Sequence, residues 1–122
     1  MKDLAQKIKQ FVEERDWDRF HSPKNIAMAL SVEVAEVVEH FQWLSEAESM
    51  ELSDEKRAEI QDELGDILIY LVQLSRKLGI DLVEAGHQKV AKNALKYPKE
   101  HVRGKALKYS EYKESFKDRH ET

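Results

Sequence analysis

The chain contains no cysteine, so it has neither a disulfide framework nor a thiolate metal site, and any bound metal must be held by oxygen or imidazole ligands. Hard cations are thereby favoured. It also lacks any apolar run near the roughly 18 residues needed to span a bilayer, and its start, MKDLAQKIKQ, has no apolar core of a secretion signal. Asp3, Glu13 and Glu14 argue against an organelle transit peptide, so a cytoplasmic location and no membrane partner are expected. A dominant positive charge is missing too. The net charge is -4, which gives no reason to expect a nucleic-acid polymer as partner. What is present is 41% hydrophobic and 36% charged residues over 122 positions, the balance of one domain built from amphipathic helices.

Leu4, Ile8, Phe11 and Val12 recur at helical spacing and predict a first helix from about Lys2 to Arg15, interrupted by Asp16 to His21. Ser22 and Pro23 read as an N-cap and first-turn proline of a second helix with the stripe Ile26, Leu30, Val34, Val37 and Phe41, ending at Phe41 or Trp43. Ser45 to Ser53 is polar and reads as a long connection or a frayed helical turn. Ser53 or Asp54 caps a third helix bearing Ile60, Leu64, Ile67, Leu68, Leu71, Leu74 and Leu78, which stops near Gly79. Asp81 then caps a fourth, with Leu82, Val83, Val90 and Leu95, before Tyr97 and Pro98. A polar tail follows from about residue 99. No strand alternation or repeat is seen, so the expected product is one all-α, four-helix bundle-like domain over residues 1–122.

Chemistry concentrates in Glu33-Val34-Ala35-Glu36 and Glu63-Leu64-Gly65-Asp66. Each is a carboxylate pair at i, i+3, a spacing that puts like charges on one helix face, where they repel. At 100° per residue both pairs lie on the same side of their apolar stripes, displaced by nearly the same angle. If the two helices pack antiparallel through those stripes, the pairs meet at one edge. Four clustered acids destabilise a fold unless a divalent cation relieves them. An all-oxygen donor set suits Mg2+ best and Mn2+ next, and magnesium characteristically shares its shell with substrate phosphates. An isolated pair would be read as a solvated face; two flank-matched pairs imply a phosphate-processing site.

Other residues are placed to contribute. Tyr70 lies one turn beyond Asp66 on the same flank. Lys89, Asn93 and Lys96 share a face of the fourth helix, within a stretch to Lys108 whose only acid is Glu100, and Tyr97 follows directly. Trp17, Phe20 and His21 crowd the break after the first helix and Phe41 and Trp43 the end of the second, where aromatic faces can hold a nucleobase. His40 and His87 carry less weight. Glu84 and His87 form one Glu-x-x-His element, and a di-iron bundle needs two.

Taken together these residues resemble the MazG-type all-α nucleoside triphosphate pyrophosphohydrolases, whose signature is Glu-x-x-Glu followed by Glu-x-x-Asp. Glu33, Glu36, Glu63 and Asp66 fill it, with residues 37–62 between the halves. The segments ERDWDRFHSPKN, EVVEHFQW, DELGDILIYLVQL and NALKYP are similar to the dCTP pyrophosphatase branch. The resemblance implies hydrolysis of a nucleoside triphosphate, dCTP or a modified dCTP, to the monophosphate and pyrophosphate, with a house-cleaning role in the nucleotide pool. It implies that Glu33, Glu36, Glu63 and Asp66 hold magnesium, that Trp17, His21 and Trp43 line the base pocket, and that Lys89, Asn93 and Tyr97 meet phosphates or sugar. Glu36, farther from the apolar stripe than Glu33, is expected to orient the attacking water. Dimers paired into a homotetramer are implied as well. Gly65, where relatives often have serine, and the connection from Leu44 to Asp54 depart from the pattern. Two rival readings stay open: a broad-specificity or dUTP-directed enzyme with the same machinery, and a non-catalytic helical metal-binding interaction module.

Overall fold

The computed structural model describes residues 1–104, without the side chains of 101 and 102; the remainder of the expected polar tail lies outside the described residues. Among the described residues every regular element is helical: α1 (Lys2–Glu14), a 3-10 turn (Asp18–Phe20), α2 (Pro23–Phe41), α3 (Glu46–Ser49), α4 (Asp54–Lys77), α5 (Leu82–Lys96) and α6 (Lys99–Val102). They divide into two compact units, Met1–Leu82 and the chain from Val83 onward. No helix among the described residues is long and apolar enough to cross a membrane.

The boundaries follow from local chemistry. Ser22 takes the Asn25 N–H on its hydroxyl while Pro23 occupies the first turn of α2, and Ser53, rather than Asp54, accepts the Lys56 N–H at the start of α4. The polar connection contains one ordered turn: Ser45 Oγ accepts from the Glu48 N–H at 3.1 Å and Glu48 Oε1 accepts from the Ser45 N–H at 3.0 Å, a reciprocal cap that fixes α3. These bonds hold the Glu48 carboxyl below the ordinary glutamate range. Two helices end on left-handed residues. Gly79 (φ 66°) closes α4 as Ile80 N–H donates to Ser75 and Gly79 N–H to Arg76. Asp16 (φ 52°) does the same for α1, with Trp17 N–H donating to Val12 and Asp16 N–H to Glu13. Asp tolerates that conformation better than most non-glycine residues, and the reversal turns Trp17 back onto Phe11, ring edge to ring face at 5.7 Å.

In the first unit α4 is the shared element. One side packs on α2, where Ile26 and Ile60 are buried, and another meets α1, where Ile8, Val12 and Val72 form a core flanked by Leu4, Ala5, Ile69 and Leu82. The stripe expected from sequence holds in part: Ile26 and Ile60 are buried, and Leu30, Val37, Phe41, Ile67, Leu71 and Leu74 are half-buried. Val34, Leu64, Leu68 and Leu78, read as core, are 45%, 53%, 38% and 53% exposed. Glu33, Glu36 and His40 on α2 and Glu63 on α4 are half-buried as well. The α2–α4 seam therefore takes in Glu33, Glu36 and Glu63 beside its apolar residues, and an apolar flank that includes Val34, Val38, Leu64 and Leu68 is open in the single chain. In the second unit Val83, Val90 and Leu95 are likewise exposed and nothing in α5 is fully buried.

Candidate active site

Two regions of the first unit meet at Asp66. The α2–α4 seam brings the acid pairs together. Antiparallel packing is visible in the pairings: Glu33 feels the charges of Asp66 and Glu63, whereas His40, two turns further along α2, reaches back to Lys56, Glu59 and Glu63. Glu33 feels the charge of each of the other three acids. Its carboxyl is pushed above the ordinary glutamate range by loss of water, by the negative charge of Glu36, by a hydrogen bond its protonated form shares with Glu36, and by Asp66 and Glu63. Glu33 Oε2 is buried without a hydrogen-bond partner, a costly condition for a carboxylate oxygen.

His40 borders this cluster. Its Nδ1 lies 3.1 Å from Lys56 Nζ, and because an ammonium only donates, Nδ1 accepts and the ring proton is left on Nε2. Nε2 stands 2.8 Å from Glu63 Oε2, at ion-pair distance. Nothing in the residues around His40 marks it as a site residue apart from its position one turn beyond Glu36, on the half-buried face that also carries Glu33 and Val37.

The donors are all carboxylates, one of them, Glu33, with an orphaned buried oxygen, which suits a hard cation such as magnesium. Even so, among the described residues no three His, Asp or Glu side chains are already arranged to hold a metal ion. The acids are neighbours that repel, not a closed ligand set.

The second region is a cavity of about 410 Å3 between α1, the 3-10 turn and α4, within the range of about 300–1,000 Å3 typical of small-molecule sites. Trp17, His21, Asp66 and Tyr70, four residues singled out from sequence, stand on its wall, with Phe11, Ile69 and Gln73 among the others. Gln73 is buried at 4% exposure. Its Oε1 and the Nδ1 of His21 are buried without partners. The 3-10 turn that carries the chain from Trp17 to His21 is clamped to α4: Asp18 accepts from Arg76 Nη2 at 2.9 Å and pairs with Lys77 Nζ at 3.0 Å. These bonds, Lys77 first, hold the Asp18 carboxyl below the ordinary aspartate range.

Not every expected residue joins these regions. Trp43 is 87% exposed just past α2 and lines neither the seam nor the cavity. Lys89, Asn93, Lys96 and Tyr97 belong to the second unit, on α5 and its C-terminal end, with Lys89 exposed and the other three half-buried.

Comparison with known proteins agrees with the signature. The model of the MazG-like family matches residues 28–112. The chain is 41% identical over 113 residues to dCTP pyrophosphatase 1 of Rattus norvegicus, covering 91% of this chain and 66% of that protein. It is 39% identical over the same length to dCTP pyrophosphatase 1 of Homo sapiens, again covering 91% and 66%. It thus spans about two thirds of the length of these curated relatives. A crystal structure of a pyrophosphatase from Archaeoglobus fulgidus superposes with a TM-score of 0.76 at 39% identity, covering 80% of this chain and 92% of that one. With the two acid pairs on facing helices and a family match over most of its length, this chain belongs to the MazG-like family.

Proposed function

We propose that this protein is a nucleoside triphosphate pyrophosphohydrolase that converts a deoxynucleoside triphosphate, dCTP or a modified dCTP, to the monophosphate and pyrophosphate. The observation that carries this reading is the crowding of Glu33 by Glu36, Glu63 and Asp66 across two helices. Such a cluster is unfavourable by itself and becomes favourable beside a cation that also binds phosphates. The names of the rat and human relatives supply the base.

In the proposed reaction Glu36 orients a water and takes its proton as the water oxygen bonds to the α-phosphorus. The bond from that phosphorus to the α,β-bridging oxygen breaks, and pyrophosphate leaves with the electron pair. Glu33, Glu36, Glu63 and Asp66 would hold magnesium, or manganese, which when bound neutralises charge on the phosphate oxygens. Trp17 and His21 would bound the base, with Tyr70 at the sugar or phosphate. By resemblance to the family Trp43 is proposed to line the base pocket and Lys89, Asn93 and Tyr97 to meet phosphates or sugar, with Lys96, on the same face of α5 as Lys89 and Asn93, a further cation for an anionic ligand. A homotetramer made of paired dimers is part of the same proposal; the open flank with Val34, Val38, Leu64 and Leu68 supports association of copies. A cytoplasmic nucleotide-pool role completes it.

The direct test is purified protein with magnesium and each common triphosphate, resolving pyrophosphate from orthophosphate. Deoxycytidine monophosphate and pyrophosphate in equal amounts are expected; a dUTP preference would favour the rival specificity. A non-catalytic interaction module with merely solvated acids is disfavoured by the buried oxygens of Glu33 and Glu63. Calorimetry showing no metal-dependent nucleotide binding would restore it.

A further inference from the structure

We infer that Gln73 is the residue that reads the nucleobase, accepting a hydrogen bond from an exocyclic amino group and so favouring amino-bearing over keto-bearing pyrimidines; this rests on the function proposed above. Gln73 lies outside both acid pairs, at a position where the apolar pattern of α4 is broken, Leu71-Val72-Gln73-Leu74. It is 4% exposed and helps wall the cavity between α1, the 3-10 turn and α4. Its Oε1 is buried and has no hydrogen-bond partner. A buried amide oxygen left unpaired in a mostly apolar wall weakens the fold, and Val72 beside it shows that an apolar side chain is at home on this side of the helix. The unpaired acceptor is explained if a ligand supplies the donor.

Three features of the cavity define that ligand. Trp17 and Phe11 give it aromatic surface suited to a flat ring. His21 contributes a second orphan, Nδ1, which gives or takes a hydrogen bond according to tautomer. Asp66 stands on the cavity wall and also belongs to the acid cluster, so a base held here leaves its phosphates on the side of the carboxylates. Facing Gln73 Oε1, the 4-amino group of cytosine donates, whereas the 4-carbonyl of uracil sets one acceptor against another. A buried site made to pair a polar group discriminates strongly against the analogue that cannot pair.

The test compares wild type with Gln73→Met, which keeps the length and removes the amide, and Gln73→Asn, which keeps the amide but withdraws it by one methylene. Steady-state kinetics with dCTP and dUTP should show the ratio of their kcat/KM values falling by about 10–100-fold in both variants. Most of the dCTP loss should be in KM, with dUTP changed less than about threefold. Equal losses on the two substrates, or an unchanged ratio, would overturn the assignment, the latter also being the result expected of an amide free to turn over. Binding is read separately in the wild-type protein by NMR with free deoxycytidine and deoxyuridine. Deoxycytidine should shift the Gln73 side-chain amide resonances and deoxyuridine should not; no shift with either, or the same shift with both, sinks the proposal. Because nucleosides carry no phosphate, this readout stands even if no triphosphate is hydrolysed, a result that would count against the proposed function instead.

Discussion

The seam between α2 and α4 and the cavity between α1 and α4 share a helix and differ in what is wrong with them. In the seam the discomfort is charge: Glu33 is raised by burial and by three neighbouring acids. In the cavity it is unpaired polarity, at Gln73 Oε1 and His21 Nδ1, within walls that are otherwise largely apolar. A charge conflict is relieved by an ion and an orphaned hydrogen-bonding atom by a complementary partner. The two kinds of strain thus ask for the two ends of one molecule, polyphosphate with its cation and a polar ring.

The sharpest way to break the comparison is at Asp66, the residue common to both regions. Asp66→Asn, or Glu36→Gln on the seam alone, should leave the circular dichroism spectrum intact and lower turnover by at least about 100-fold, as removing a group that acts in the transition state does. Full activity in both would remove the acid cluster from the chemistry. Ile26→Ala should instead act on stability. Ile26 is 1% exposed beneath the seam, and deleting such a side chain costs about 2–5 kcal/mol in a denaturant titration.

Glu33→Gln is predicted to stabilise the protein kept free of metal by chelator at neutral pH. The folded-state pKa of Glu33 is raised, so its contribution is fully present below the ordinary value of 4.5 and is lost as pH rises through the raised one. The gain from the variant should accordingly appear above that window and vanish below it, and a pH series of melting curves in wild type and variant reads it. Asp18→Asn has the opposite sign. The folded pKa of Asp18 is lowered by Lys77 and Arg76, so its contribution is present above 3.8 and is lost as pH falls through the lowered value. The variant should melt earlier at neutral pH, modestly because the pair is solvent-screened, and the difference should close in acid. Smallest of all, Gly65→Ala should raise stability by about 0.5–1 kcal/mol, since a Cβ there meets nothing within 4 Å; chemical denaturation measures it.

The sequence was a good guide wherever one residue decides locally. Ser22 with Pro23, Ser53 and Gly79 mark helix ends through their own hydrogen bonds or backbone freedom, and the structure ends helices there. The meeting of the acid pairs was also legible, because it needs only equal angular offsets and antiparallel packing. The exact seam was not. Val34, Leu64 and Leu68 are as apolar as true core positions, and periodicity cannot tell the face that meets a neighbouring helix from one left open. Gln73 and His40 were passed over for a related reason: α4 serves two partners, so a single stripe leaves out the side that meets α1, and His40 acquires its significance from Lys56 and Glu63, distant in sequence. Sequence places the end of α1 at Asp16 but not the left-handed backbone there, of which glycine is the usual sign.

The opposed directions of α2 and α4 also decide where length can change. Residues added between Gln42 and Ser53 lengthen only the path from one helix to the next, whereas one residue inserted inside either helix swings all that follows it by about 100° around the axis. An insertion between Glu33 and Glu36 would carry one of them off the shared edge while leaving composition almost untouched. Tolerance to insertion should therefore be high between Gln42 and Ser53 and low inside α2 and α4.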